Sequence, residues 1–321
     1  MNRWVTVTAA FVLTLLCSAS ASAETYPSRP ITVTVPFAPG GSADLAIRVV
    51  GQKLTASLGQ PVVVENRPGA GGELGVGNVV RAAPDGYNLL LTTNGPISVI
   101  SNFRKVSYNP ADLAPVAMLV KVPAAIAVNA SLPIKNIADL IKYSKEHPGG
   151  ISYGMAGPGT HMHLAGEIFR AKTGADIVAV PYKGTAPTAL AVKTGEVQMG
   201  IADLTSLMPF AKEGSIRILG LVDSTRSSVA PDIPTVAESG VPGFGVNAWI
   251  GVFAPKDTPQ DIVARLNTGI NDALALPDVR QRMITAGLDP WIITPTDLDS
   301  FLSEDIARWK TLLSEVKVNV D

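Results

Sequence analysis

Glycines and small hydroxyl residues gather at three places where a ligand could reach the backbone. In VPFAPGGSAD the β-branched run from Ile31 to Val35 stops at Pro36, and Gly40, Gly41 and Ser42 precede an apolar helical pattern. ISYGMAGPGTHMHLAGEIF repeats the design with Gly157, Gly159 and Thr160, and VAVPYKGTAPTALAV does so with Gly184 and Thr185. MGIADLTSLMPFAK follows more loosely around Asp203, and Asn94-Gly95 after LLLTT is a fifth candidate. A helix start leaves backbone N–H groups unpaired and carries roughly half a positive charge. Glycine allows close approach and positive φ, and a capping hydroxyl can donate to an anion. Each turn can therefore cradle an anion without arginine, and Lys183 is the cation inside one of them. Taken singly, each is equally an ordinary strand-to-helix turn with an N-cap. Three in one chain, two in one half and one in the other, favour a ligand held between two lobes.

Other chemistries lack their residues. GAGGELGVG (69–77) misses G-x-G-x-x-G because the third glycine falls on Leu74, and no G-x-x-x-x-G-K-[ST] occurs. There is no G-x-S-x-G nucleophile elbow. His161 and His163 stand at a predicted helix start with no cysteine or carboxylate nearby to complete a metal set, so a capping or supporting role is expected. Glu65 and Glu73, divided by a glycine-rich loop, could form a carboxylate pair but read first as a strand end and a solvated acid. No catalytic set, metal or cofactor is expected. Asp44 reads first as an acid in its helix's opening turn and second as part of the cradle. Asp203 reads equally as a local cap and as an acceptor for a ligand amine, hydroxyl or bridging water.

The elements that must position these turns alternate. Strands are expected at 31–36, 62–65, 88–92, 114–119, 125–128, 151–153, 177–180, 199–202, 216–222 and 248–254. Helical spacing fills the gaps, as in Ile47, Val50, Leu54 and Leu58 before Gly59, and in a helix over 132–143. The tail predicts helices over 261–274, 277–286 and 297–316, the last with a core stripe of Phe301, Ile306, Trp309 and Leu313. Alternation of this kind points to an α/β class with mostly parallel sheets flanked by helices. Ligands of such sheets bind at the carboxyl ends of strands, where the turns lie.

With 46% hydrophobic and 17% charged residues, the 321-residue chain can bury a large core; its net charge of −1 excludes a basic nucleic-acid footprint. Arg3, the apolar run from Val5 to Leu16 and Ala21-Ser22-Ala23 form a signal peptide, with cleavage expected after Ala23. Cys17, the only cysteine, falls inside it with Leu16 before it, which argues against lipidation and leaves the mature chain without thiols.

YPSRPITVTVPFAPGGSAD, LGQPVVVENRPGAGG, AAPDGYNLLL, GPGTHMHLAGEIF, VPYKG, DIPTVAESGVPGF and the run Trp249–Pro255 occur in that order. Together they resemble the Bug family, the TctC-like extracytoplasmic solute receptors of tripartite tricarboxylate transporters. The resemblance implies a periplasmic, monomeric, type II-like Venus flytrap that closes two α/β lobes on a small carboxylate and serves a membrane permease transiently. By matching motif, Phe37, Gly40, Gly41 and Ser42 become the first-lobe cradle. Gly157, Gly159, Thr160 and His163 become the second, with Tyr182, Lys183, Gly184 and Asp203 around it; Asp44 and Asn94 complete the expected ligand-binding set. Residues 24–125 with 246–321 are expected as lobe 1 and 126–245 as lobe 2, hinged near 122–128 and 245–250. Two departures from the family pattern, Ala156-Gly157-Pro158-Gly159 and the Ala202 and Leu204 flanking Asp203, leave the particular carboxylate open. A sensor presenting its ligand to a membrane kinase, or an exported enzyme acting on the carboxylate, are the rival readings.

Overall fold

The computed structural model describes residues 26–100, 105–157 and 160–314. The signal peptide, Cys17 and Gly159 lie outside the described residues. Eleven strands are β1 (Ile31–Val35), β2 (Val62–Asn66), β3 (Asn88–Thr93), β4 (Leu113–Lys121), β5 (Ala124–Asn129), β6 (Ser152–Met155), β7 (Val178–Pro181), β8 (Met199–Asp203), β9 (Ile216–Leu221), β10 (Trp249–Pro255) and β11 (Asp289–Pro290). The α-helices are α1 (Ser42–Leu58), α2 (Glu73–Val80), α3 (Ile137–Glu146), α4 (His161–Thr173), α5 (Thr185–Thr194), α6 (Leu204–Lys212), α7 (Gln260–Ala275), α8 (Pro277–Thr285) and α9 (Pro295–Ser314). Each of the ten expected strands is present. The two-residue β11, an aspartate and a proline, carries no strand pattern and was not expected.

Two sheets form, in the orders β11-β4-β10-β3-β1-β2 and β7-β6-β8-β5-β9. They are mixed rather than mostly parallel. β1 pairs parallel with β2 and β3, and β6 with β7 and β8; β10 is antiparallel to β3 and β4, and β5 to β8 and β9. The cause lies in the crossings. β10 and β5 each arrive from the other sheet, so each enters at the edge where its neighbours leave. Every strand beside them must then run the opposite way.

That arrangement fixes where the turns lie. β4 ends at Lys121 and the chain crosses through Val122 and Pro123 to β5. The carboxyl ends of β1 and β3 share β4's edge, and the carboxyl end of β8 pairs Asp203 with Ala124, beside the ends of β6 and β7. Both sets of turns therefore line the gap that the crossings bridge.

Each lobe is an α/β layer fold with its own apolar cores. α1, α7 and α8 bury Ile47, Val50, Leu266, Ile270 and Met283 against one face of the first sheet. α3 and α4 bury Leu140, Ile168 and Phe169 on the second sheet, and α5 and α6 cover its other face. Two helix details differ from expectation. α3 begins at Ile137, later than expected, because Asn136 caps it: its side chain accepts from the Asp139 N–H. In α9 the buried face is Leu298, Leu302, Asp305, Trp309 and Leu312, while Ile306 is 39% exposed. The stripe is displaced because α9 serves two cores: Leu298 and Leu302 join the core around Trp249, and Trp309 and Leu312 join that of Phe169 and Phe244. Trp309, 1% exposed, fastens the last described helix to the second sheet. Trp309→Ala should cost about 3–5 kcal/mol in urea unfolding; a loss below 1 kcal/mol would contradict that placement.

Candidate functional site

At the end of β1 the chain turns through Phe37 to Gly41. Gly40 has φ +90°, a backbone that favours glycine, and Gly41 caps α1 with no side-chain bond to the helix. The first N–H groups of α1 thus remain available, and Gly40, Gly41 and Ser42 are exposed. Asp44, expected in the ligand set, instead stands behind the turn. It is 5% exposed and accepts from the Gly40 N–H (3.1 Å), Arg48 Nε (2.9 Å) and Asn66 Nδ2 (3.0 Å). The Arg48 hydrogen bond leads in holding its carboxyl down to about 2. Asn66 Nδ2 also donates to the Phe37 carbonyl at 3.2 Å, so one clasp fixes both ends of the turn.

The opposite bank is built from three turns in mutual contact. At the first, Gly157 has φ +120°, and the Thr160 hydroxyl donates to the Gly157 carbonyl at 2.7 Å while accepting from the His163 N–H at 3.3 Å. That hydroxyl, expected to donate to an anion, is spent on the turn itself. His163 is 8% exposed within α4, where burial pushes its imidazole down and neighbouring Glu167 opposes this. At the second turn Gly184 has φ +118° and caps α5, again with no side-chain bond, and Lys183 is exposed. Tyr182 donates its hydroxyl to Glu196 at 2.9 Å, and its N–H pairs with the Met155 carbonyl beside the first turn. Thr185 and Ser206 join their hydroxyls at 2.9 Å, tying α5 to α6.

At the third turn Asp203 ends β8. Its Oδ1 is 3.9 Å from His161 Nε2, and both atoms are buried without a hydrogen-bond partner. Burial pushes His161 down to about 4 and Asp203 up to about 7. His161 is the residue that sequence reasoning undervalued. Residues two apart on a helix project in widely different directions, so only one histidine of the pair can meet Asp203, and the motif favoured the other. Asn94 belongs to the crossing: it is 4% exposed and its Nδ2 donates to the Asn247 carbonyl at 3.0 Å.

Phe37, Gly40, Gly41 and Ser42 thus stand on one bank, and Gly157, Thr160, Tyr182, Lys183, Gly184 and Asp203 on the other. The arrangement offers uncharged N–H donors at the open starts of α1 and α5. Among the described residues no group of three or more His, Cys, Asp or Glu could hold a metal ion.

The model of the tripartite tricarboxylate transporter family receptors matches residues 46–318. The chain belongs to that family. It is similar to protein BugT of Bordetella pertussis, 38% identical over 318 residues that cover 98% of each chain. Among solved structures it resembles R. palustris Rpa4515 with adipate, at 34% identity and a TM-score of 0.76, covering 91% of this chain and 99% of that one. It also resembles MatC from Rhodopseudomonas palustris with bound malate, at 33% identity and a TM-score of 0.73, covering 90% and 100%. The two-lobe α/β fold is the fold of these receptors.

The unpartnered carboxyl in this receptor has a pH signature. Asp203 binds its proton more tightly folded than unfolded, so the folded state is favoured below its ordinary range near 4 and loses that advantage as pH rises through about 7. His161 acts oppositely: its depressed imidazole costs stability as pH falls from about 6.5 toward 4. Asp203→Asn should therefore stabilise the protein by about 1–3 kcal/mol at pH 8 and change little at pH 4, read as melting temperatures. Equal shifts at both pH values would contradict the buried, unpartnered carboxyl.

Proposed function

We propose that this receptor, exported to the periplasm with cleavage after Ala23, captures a small dicarboxylate between its lobes and hands it transiently to a membrane permease. It acts as a monomer and holds its ligand without transforming it. Lobe 1 comprises 24–125 with 246–321 and lobe 2 comprises 126–245, with α9 braced against both. The observation that carries the reading is the pair of helix starts left without side-chain caps, α1 on one bank and α5 on the other.

A carboxylate at each helix start accepts charge-assisted hydrogen bonds worth roughly 1.5–3 kcal/mol apiece. The helix termini add favourable potential without the desolvation that a buried lysine or arginine imposes. Two cradles suit a ligand charged at both ends, in keeping with the adipate and malate held by two similar receptors. Lys183 at the rim adds attraction at longer range.

Titration calorimetry with adipate and with malate, against their diamides, tests this. At least one dicarboxylate should bind in the micromolar range or tighter, and its diamide at least about tenfold more weakly. Gly41→Leu places a side chain in open space at φ −82°, so folding should survive while dicarboxylate affinity falls at least about a hundredfold. Diamides binding as well as the acids, or an unaffected Gly41→Leu variant, would rule the reading out.

A further inference from the structure

Along each sheet the cradles stand on one side of the crossing, and a second concavity stands on the other. In the first sheet β3 and β1 lie to one side of β10 and β4, with β11 beyond them; in the second, β8, β6 and β7 lie to one side of β5, with β9 beyond. The segment after β9, the residues around β11 and the middle of α9 enclose a cavity of about 470 Å³ that contains none of the cradle residues. Pro123 lines it and accepts the Leu204 N–H, so the crossing stands between this cavity and Asp203. Its volume lies within the roughly 300–1,000 Å³ of small-molecule sites.

The walls are specific in character. Trp291 and Phe301 meet edge to face with ring centroids 4.7 Å apart, and the buried Trp249 backs them with its centroid 6.3 Å from that of Phe301. Lys121 holds its Nζ 4.7 Å from the Trp291 centroid and makes no ion pair among the described residues. Arg308, one-third exposed, has Asp305 Oδ1 at 3.9 Å, too far for a hydrogen bond, while Asp305 Oδ2 takes the Trp249 indole N–H at 3.0 Å. The other charged residues of the wall are hydrogen-bonded, ion-paired or exposed. Asp289 accepts from Ser227 and Ser228, Arg226 pairs with Glu238, and Glu304 is exposed at the rim. Asp223 accepts the Ala124 N–H at 3.3 Å; burial pushes its carboxyl up to about 8, with that bond and Lys121 opposing. An aromatic wall beside Lys121, which makes no ion pair among the described residues, and Arg308, whose one pairing is the long 3.9 Å contact to Asp305, suits a flat organic anion.

We propose that this cavity is a second ligand site, for an aromatic monocarboxylate whose ring lies on Trp291 and Phe301 and whose carboxylate meets Lys121 and Arg308. It is independent of the dicarboxylate cradles.

The test uses benzoate as probe and tryptophan fluorescence as readout, since Trp249 and Trp291 line the cavity. Benzoate should give a saturable change, and the neutral isostere benzamide should require at least about tenfold higher concentration. Lys121→Met with Arg308→Met, verified as folded by circular dichroism, should weaken benzoate at least about tenfold. Gly41→Leu, which blocks the front cradle, should leave the benzoate curve unchanged. A non-saturable response, equal binding of benzamide, an unaffected double variant, or loss of the signal in Gly41→Leu would each overturn the assignment. The benzamide and Gly41→Leu arms decide the question even where the double variant does not fold. The dicarboxylate calorimetry reads the front site separately, so failure of one site is not mistaken for failure of the other.

Discussion

Two segments joining strands pass between the sheets, and they hydrogen-bond at the crossing itself together with the chain leaving β9. The Val122 N–H reaches the Ala248 carbonyl (2.8 Å), the Val222 N–H that of Ala124 (2.9 Å), and the Val246 N–H that of Val222 (2.7 Å). Asn247 adds to this by accepting from the Ser224 N–H at 2.9 Å, while its carbonyl takes Asn94 Nδ2. These bonds hold both sheets with their strand ends toward one gap. They reverse β5 and β10 relative to their neighbours, and they bring the starts of α1, α4, α5 and α6 to the same place. Any rotation of one lobe against the other would concentrate in these few residues.

The acid beside the first turn is tied into the turn and away from the gap. Asp44 is folded back onto Gly40, Arg48 and Asn66, so its charge reinforces the turn rather than repelling a ligand. Thr160 likewise spends its hydroxyl on Gly157. For the ligand proposed above, turns fastened in this way would offer N–H groups oriented before it arrives, which lowers the ordering cost of binding. His161 and Asp203 are the exception, facing each other through an Nε2 and an Oδ1 that are buried without a hydrogen-bond partner.

Much of this was legible in the chain. Strands β1 to β10 read clearly because they are short apolar runs set off by turn residues, including the partly exposed edge strands β2 and β7, and the turns read clearly because glycine at Gly40, Gly157 and Gly184 serves positive φ. What escaped reading depends on partners distant in sequence. Asp44 gains its role from Asn66, and Asn94 from Asn247, 153 residues away. Strand direction depended on which edge a returning strand enters, which no periodicity records. The face of α9 was misplaced because one helix packs on two cores, so its apolar positions do not follow a single stripe. The choice between His161 and His163 turned on which side of α4 faces β8, a matter of packing rather than spacing.

The most direct test of a receptor built from backbone donors is to watch those donors. Amide nitrogen–proton correlation spectra of the labelled mature protein, titrated with dicarboxylates from succinate to adipate and with malate, resolve each N–H separately. The largest proton shifts, downfield as hydrogen bonds to carboxylate form, should fall on Gly41, Ser42, Thr185 and Ala186 at the open starts of α1 and α5. Unmoved amides at those positions throughout the series, or shifts confined to residues behind the crossing, would contradict the account.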